Sequence, residues 1–408
     1  MAFSSVTKCT VFALLLSFAC CKAKTEKIEE NTRMFASDSI PSIVISAQRT
    51  AAYLPLLKDK VIAVVANPTS VVFTEQGYTH LVDTLLSRKV DIKTVFAPEH
   101  GFRGTADAGE MVPDGIDPKT GIPIISLHGK NKKPTSEQLD GIDMVVFDIQ
   151  DVGVRFYTYI ATLQLVMEAC AEKGVPIMVL DRPNPNSHYL DGPMMEPENT
   201  SFLGYTTIPL VYGMTIGEYA KMLNGEGWLK NGIQADLTVI PLKNYTHTTS
   251  YSLPIRPSPN LPNDQSINLY PSLGLFEGTN INAGRGTESQ FQQYGASFLD
   301  STQYDFSYVP KPNFGAKYPK EEGKTCFGKD LSSHKNMSEV SLQWLLDAYQ
   351  NCTEKKAFFK TASFTRHAGT ELLQKQIEAG LSEEAIRATW QKDLDTFRKI
   401  REKYLLYE

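Results

Sequence analysis

Met144-Val145-Val146-Phe147-Asp148-Ile149-Gln150-Asp151-Val152-Gly153-Val154-Arg155-Phe156-Tyr157-Thr158-Tyr159 is the stretch on which the reading of this chain turns. It opens as an unbroken apolar run, the pattern of a strand buried on both faces. Asp148, Gln150, Asp151, Arg155, Tyr157 and Tyr159 then follow in quick succession, and such groups need partners wherever they are buried. Residues 161–173 (ATLQLVMEACAEK) carry apolar side chains at helical spacing. The order is strand, polar loop, helix. Ligands of open parallel sheets bind just beyond the carboxyl ends of the strands, so this loop is expected to line an active site.

The same pattern recurs on either side. Upstream, Val61–Ala66 (VIAVVA) ends in Asn67-Pro68-Thr69-Ser70, and 75–89 reads as an amphipathic helix. A strand over 92–97 runs into Pro98-Glu99-His100-Gly101-Phe102-Arg103-Gly104, and one over 122–127 ends in His128-Gly129. Downstream, 175–180 ends in Asp181-Arg182-Pro183-Asn184-Pro185. Strands alternating with helices predict an α/β fold with a parallel, doubly wound sheet. Every strand delivers its polar residues at the carboxyl end. After about residue 200 the rhythm changes. Helices are expected over 215–223, 340–349 and 382–404, and a strand over 237–240. The last helix opens with Ser382 as N-cap and Glu383 and Glu384 in its first turn.

The chain's 408 residues suffice for two domains with substantial cores. Hydrophobic residues at 42% and charged residues at 21% are those of a globular protein. A net charge of -5 argues against a nucleic-acid partner, and Lys130-Asn131-Lys132-Lys133 reads as a solvated loop. At the N-terminus, Lys8 precedes an apolar run that ends in Ser17-Phe18-Ala19-Cys20-Cys21. This is the layout of a signal peptide, too short for a permanent membrane span. A small residue before a cysteine also fits bacterial lipoprotein processing, with Cys20 lipidated; plain secretion is the other reading. Residues 1–20 are therefore expected to be a signal peptide and 21–45 a tether. The mature protein would lie in the bacterial cell envelope, membrane-bound through a lipid anchor. Cys170 is expected as a buried thiol, and Cys326 and Cys352 could pair in an oxidising compartment.

Several chemistries lack their motifs. Gly323-Lys324-Thr325 has the tail of a phosphate loop, but Tyr318 stands where the leading glycine is required. The first strand is not followed by G-x-G-x-x-G, and neither H-E-x-x-H nor G-x-S-x-G occurs. No cysteine and histidine set has zinc spacing, so neither cofactor nor metal is expected. What remains is carboxylates, arginines and aromatics at strand ends. Glu99 could hold a raised pKa and act as a general acid, or cap a loop or pair with Arg103. Asp148 and Asp151 could serve catalysis or brace Arg155. His128 could be a catalyst or a loop hydrogen-bonding group. Arg155, Arg182 and Arg285 could fork onto a substrate carboxylate or brace the protein's own acids. Tyr157 and Tyr159 could stack on a sugar or pack inside. Carboxylates and fixed aromatics without metal or nucleotide motifs suit glycoside hydrolysis, which needs a protonated acid and a second group.

The motifs together resemble one family. They are Ala97 to Gly104 (APEHGFRG), Phe147 to Gly153 (FDIQDVG) with Arg155 to Tyr159 (RFYTY), and Leu180 to Pro185 (LDRPNP). Ser258 to Pro262 (SPNLP), Phe276 to Asn280 (FEGTN), Gly284 to Thr287 (GRGT) and the closing Arg401 to Tyr407 (REKYLLY) complete the series. From about residue 55 to the end the chain is similar to the exo-β-N-acetylmuramidases, with Ala283 as a departure directly before Gly284. The resemblance implies an exo-acting glycosidase that releases N-acetylmuramic acid from the non-reducing end of peptidoglycan fragments. It implies a Rossmann-like domain, here drawn at 46–200, a smaller α+β C-terminal domain at 201–408, and an active-site cleft between them. It places Glu99 as the catalytic acid; Asp148, Asp151 and Glu277 are candidates for the second group by their position in the chain. His100, Arg103, His128, Arg155, Tyr157, Asp181, Arg182, Asn184, Glu277, Asn280 and Arg285 are the expected substrate-binding set. A non-catalytic muropeptide-binding lipoprotein, or a hydrolase of the lactyl–peptide linkage, would use the same cleft.

Overall fold

Along Val61–Ala66 (β1) the side chains alternate between two apolar cores, Ala63 and Val65 entering one and Ile62, Val64 and Ala66 the other. That two-sided burial is what an uninterrupted apolar strand requires, and it places β1 at the middle of a covered sheet. The computed structural model describes residues 42–104, 110 and 113–408. The expected signal peptide, Cys20 and most of the tether lie outside the described residues. Among the described residues no helix is long and apolar enough to cross a membrane.

Six further strands complete the sheet: Asp91–Ala97 (β2), Gly115–Ile116 (β3), Pro123–Ser126 (β4), Met144–Asp148 (β5), Ile177–Leu180 (β6) and Leu237–Ile240 (β7). Their order is β7-β6-β5-β1-β2-β4-β3, parallel throughout except for β3 on β4. The chain builds outward from β1 through β2 to β4, then returns to add β5, β6 and β7 on the other side. The direction of winding therefore reverses between β1 and β5, the place where doubly wound sheets open a crevice. The helix Tyr159–Lys173 (α3) covers one face and stops at Gly174, left-handed at φ 73° as a helix-ending glycine often is.

Three local expectations change. Residues 75–89 do not form one helix: Val71–Thr74 and Gly77–His80 make a hairpin, and only Leu81–Ser87 (α2) is helical. Gly77 at φ 127° turns the chain, and the β-branched and aromatic residues around it prefer an extended backbone. The helix over 382–404 is two, Glu383–Ala388 and Gln391–Arg401. The boundary at 200/201 falls inside the sheet layer, because β7 pairs along its full length with β6.

The C-terminal part adds a three-stranded antiparallel sheet of Gln293–Ala296, Cys326–Asp330 and Phe306–Tyr308, in that spatial order. Helices Asp264–Leu273 (α5) and Thr361–Ala368 (α7) pack around the turn Gly274–Gly278. One apolar core runs without a break from Phe147 and Tyr157 through Leu269 and Phe276 to Tyr294 and Phe364. Ser42–Glu408 accordingly forms one compact unit. Cys170, Cys326 and Cys352 are buried free thiols, so the disulfide considered for the last two is absent.

Candidate active site

Three strand-end acids are enclosed. Asp148, at the end of β5, is 0% exposed and takes two bonds from Arg182, 2.6 Å from Nε and 2.8 Å from Nη2. Arg182 is 3% exposed and also donates to the Val71 carbonyl. This forked pair fills the switch point between β1 and β5, and neither partner bonds Arg155. Asp151 accepts from the Gly153 amide at 2.7 Å and from the Tyr212 hydroxyl, while its Oδ1 is buried without a partner. Burial pushes its carboxyl up to about 6. Asp181, also fully buried, accepts from Thr215, Gly217, the Arg182 amide and Tyr407.

Arg155 is buried as well, and its partners are carbonyls rather than acids. Nη1 donates to Pro193 at 2.7 Å and Ile208 at 2.9 Å; Nη2 donates to His367 at 3.0 Å and Ala368 at 2.7 Å. The loop after β5 is thereby fastened to the last turn of α7. Gly153, at φ 75°, lets the loop pass the Asn184 side chain, which a Cβ would strike at 2.3 Å. Asn184 itself donates to the Met214 carbonyl.

Glu99 is different. It follows β2 in a turn closed by the Gly101 amide on the Pro98 carbonyl at 3.0 Å. His100 in that turn is nearly buried, with φ 71°, a conformation uncommon outside glycine and frequent at functional sites. The Glu99 carboxylate is half-buried, and Thr158 Oγ1 donates to it at 2.8 Å. Arg103 does not pair with it; that guanidinium is held by Asp83 at 2.7 Å and Asp117 at 3.0 Å. His128 sits at the same sheet end, with Nδ1 buried and unpartnered among the described residues.

From Glu99 a run of rings crosses to the C-terminal part. Tyr159 and Tyr157 meet edge to face with centroids 4.9 Å apart, and Tyr157 meets Tyr270 at 6.1 Å. Phe156 contacts Tyr270 at 5.1 Å and His367 at 5.5 Å. Tyr157 is 7% exposed and donates to the Pro257 carbonyl, so it packs rather than offering a face. The Tyr270 hydroxyl feels the charges of Arg285, Glu277, Glu99 and Asp151, so it lies near both parts of the cluster.

Glu277 lies across from Glu99 on the turn after α5. Arg285 Nε donates to it at 3.2 Å, and the guanidinium stands 5.2 Å over the Phe291 ring. Burial alone would raise this carboxyl, but Arg285, Lys320 and His367 overcome that and hold it at about 2. Lys320 Nζ grips the carbonyls of Phe276, Glu277 and Ile281 at 2.7, 3.2 and 3.3 Å, fixing the turn. Asn280 ties the same turn to the Ala357 carbonyl. A cavity of about 480 Å³ between Met194, Trp228, Phe397 and Ile400 shares no side chain with this cluster. Its volume is a poorer guide here than the convergence of charge at Glu99 and Glu277.

The expected residues thus divide. Glu99, Tyr157, Glu277 and Arg285 gather around Tyr270, with His100 beside Glu99 in the chain; Asp148 with Arg182, and separately Asp151, Arg155, Asp181, Asn184 and Arg103, are built into the scaffold. The sequence reading did not single out Thr158, Tyr270, Lys320 or His367. Thr158 was visible within RFYTY; the other three have no local signal, because only the tertiary fold brings them to Glu99 and Glu277.

Comparison with known proteins identifies the family. The family model described as exo-beta-N-acetylmuramidase NamZ, N-terminal, matches residues 62–265, and its C-terminal counterpart matches 268–407. A peptidoglycan beta-N-acetylmuramidase NamZ of Bacillus subtilis is 41% identical over 375 residues, covering 87% of this chain and 89% of that protein. Crystal structures of two DUF1343 family proteins of Bacteroides fragilis superpose with TM-scores of 0.83 and 0.77, at 43% and 27% identity. Each comparison covers 90% of this chain and 99% and 100% of the respective structure. With both family models matched end to end around the cluster of Glu99 and Glu277, the chain belongs to the NamZ family of exo-β-N-acetylmuramidases.

Proposed function

We propose that this glycosidase acts from the non-reducing end of peptidoglycan fragments and releases N-acetylmuramic acid, with Glu99 as the general acid. The β-N-acetylmuramidase activity itself accords with the named Bacillus subtilis relative. One observation carries the assignment of roles. Glu99 is half-buried at the start of the run of rings, whereas Asp148, Asp151 and Asp181 are enclosed in the protein interior. Glycoside hydrolysis needs two groups with opposite duties, a proton donor and a stabiliser of positive charge at the sugar carbon. Glu277, held at about 2, is ionised throughout the physiological range and is unsuited to donate a proton. It supplies the fixed negative charge. Glu99, half-buried and hydrogen-bonded by the Thr158 hydroxyl, takes the donor role and protonates the leaving oxygen as the glycosidic bond breaks.

Muramic acid also carries a lactyl carboxylate, which a guanidinium reads well. Arg155 and Arg182 are enclosed by the protein's own carbonyls and Asp148, and Arg285, beside Glu277, is the arginine assigned as its reader. The test is incubation of the domain lacking residues 1–20 with an N-acetylmuramic acid–N-acetylglucosamine disaccharide, analysed by mass spectrometry. Wild type should free N-acetylmuramic acid, and Glu99→Gln should not. Near-normal turnover by a folded Glu99→Gln would remove Glu99 from the chemistry.

The N-terminal layout supports export and anchoring through a lipidated Cys20. Metabolic labelling with a radioactive fatty acid should mark the wild-type protein and leave Cys20→Ser unlabelled. Equal labelling of both would reject the anchor.

A further inference from the structure

Beyond its influence on Glu277, His367 has no part in the reaction described so far, yet its ring flanks the cluster on the side of α7. Its Nδ1 lies 2.8 Å from the Ser363 carbonyl. A carbonyl only accepts, so Nδ1 carries the proton and Nε2 holds the lone pair of a neutral ring. Nε2 has no hydrogen-bond partner among the described residues, and it is not among the polar atoms sealed from solvent without one.

The surroundings keep the ring neutral and fixed. Burial leads in holding its pKa below the ordinary range, and Lys320 and Arg285 act in the same direction; Glu277 and the Ser363 carbonyl oppose them. Phe156 packs against the ring from the loop after β5. The preceding residue, Arg155, takes the carbonyls of His367 and Ala368 with one nitrogen and those of Pro193 and Ile208 with the other. The last turn of α7 is thereby pinned to the sheet-bearing half.

The rest of the cluster is rich in donors and fixed charge: Arg285, Lys320, and the hydroxyls of Thr158 and Tyr270. An N-acetylated sugar presents O–H and N–H groups that need acceptors, and beside the carboxylates of Glu99 and Glu277 a neutral ring nitrogen is one that adds no charge. We propose that His367 is a substrate-binding residue whose Nε2 accepts a hydrogen bond from a hydroxyl or amide N–H of the sugar, and that Arg155 is the positioning residue that holds it there. This rests on the glycosidase reading above.

The test compares the full chain as wild type, His367→Ala, His367→Gln and Arg155→Lys on the same disaccharide, with Glu99→Gln in parallel. His367→Ala should lower kcat/KM by about 10- to 100-fold, mainly through KM, as expected for losing one well-placed hydrogen bond. His367→Gln, whose amide oxygen reaches towards the Nε2 position, should recover most of that loss. It should also lack the acid-side fall in kcat/KM that protonation of the wild-type ring produces. Arg155→Lys should act through the ring, so combining it with His367→Ala should cost little beyond His367→Ala alone. If Arg155→Lys does not fold, the two His367 variants still decide the matter. Wild-type kcat/KM in His367→Ala, with Glu99→Gln inactive, would overturn this inference and leave the glycosidase reading standing. Equal losses in both His367 variants, matched by equal falls in Tm, would reduce the ring to packing and overturn it too. No sugar released by wild type would overturn the glycosidase reading and this inference with it.

Discussion

Asp148 ends one of the two strands that flank β1 and Glu99 follows the other by two residues, and both are acids placed where parallel sheets put their chemistry. Asp148 is fully enclosed and forked onto Arg182; Glu99 is half-buried and bonded by the Thr158 hydroxyl. The difference lies in enclosure. An arginine that meets both oxygens of a fully buried carboxylate satisfies the acid and removes it from use, whereas an acid still partly exposed can exchange a proton. Position at a strand end identifies a candidate; what the rest of the fold brings to it decides its role.

The largest effect expected from this contrast is kinetic. Glu99→Gln should lose about 10²- to 10⁴-fold in kcat, the usual worth of a general acid, while its Tm stays near that of wild type. Arg182→Met should do the reverse. It strands the buried Asp148 charge, which typically costs about 3–5 kcal/mol of stability, so denaturant unfolding should shift strongly while the folded fraction keeps its turnover. If Arg182→Met instead abolished turnover at unchanged stability, the scaffold assignment would fail.

Asp151 gives a smaller, pH-dependent test. Its folded pKa, about 6, lies above the ordinary carboxylate value because burial disfavours the charge. The folded state therefore holds a proton that the unfolded chain releases, and this contribution to stability is full below about pH 4 and lost as pH rises to about 6. Asp151→Asn should flatten that fall, as measured by urea unfolding across the range. An unchanged pH slope would mean that Asp151 is ionised in the fold. The smallest effect belongs to the exposed pair of Lys317 and Glu110, 2.5 Å apart. Lys317→Ala should change stability by about 1 kcal/mol or less by calorimetry, as for surface pairs generally.

Much of the sheet was legible because it is written in runs of apolar residues. Val61–Ala66 and Met144–Asp148 announce strands buried on both faces, and their polar successors mark the end where chemistry gathers. The hairpin at 71–80 was not legible as such, because its alternation also fits a helical face until Gly77 is seen to turn it. At the site, Glu99 and Arg285 stood in recognisable motifs. His367 and Tyr270 did not: they lie far along the chain from Glu99, and only the continuous core brings them near it. Sequence likewise could not say which arginine pairs with which acid. Arg155 was weighed as a partner for Asp148 and Asp151, and it bonds four carbonyls instead.

The sheet order reverses beside β1 just where related topologies accommodate a nucleotide, and here the space holds the guanidinium of Arg182 against Asp148. The crevice thus has a permanent covalent tenant, a side chain acting as its own ligand. A small molecule entering there would first have to displace two charge-assisted bonds and strand a sealed carboxylate. Grafting a cofactor onto this scaffold would have to begin by replacing both members of that pair together.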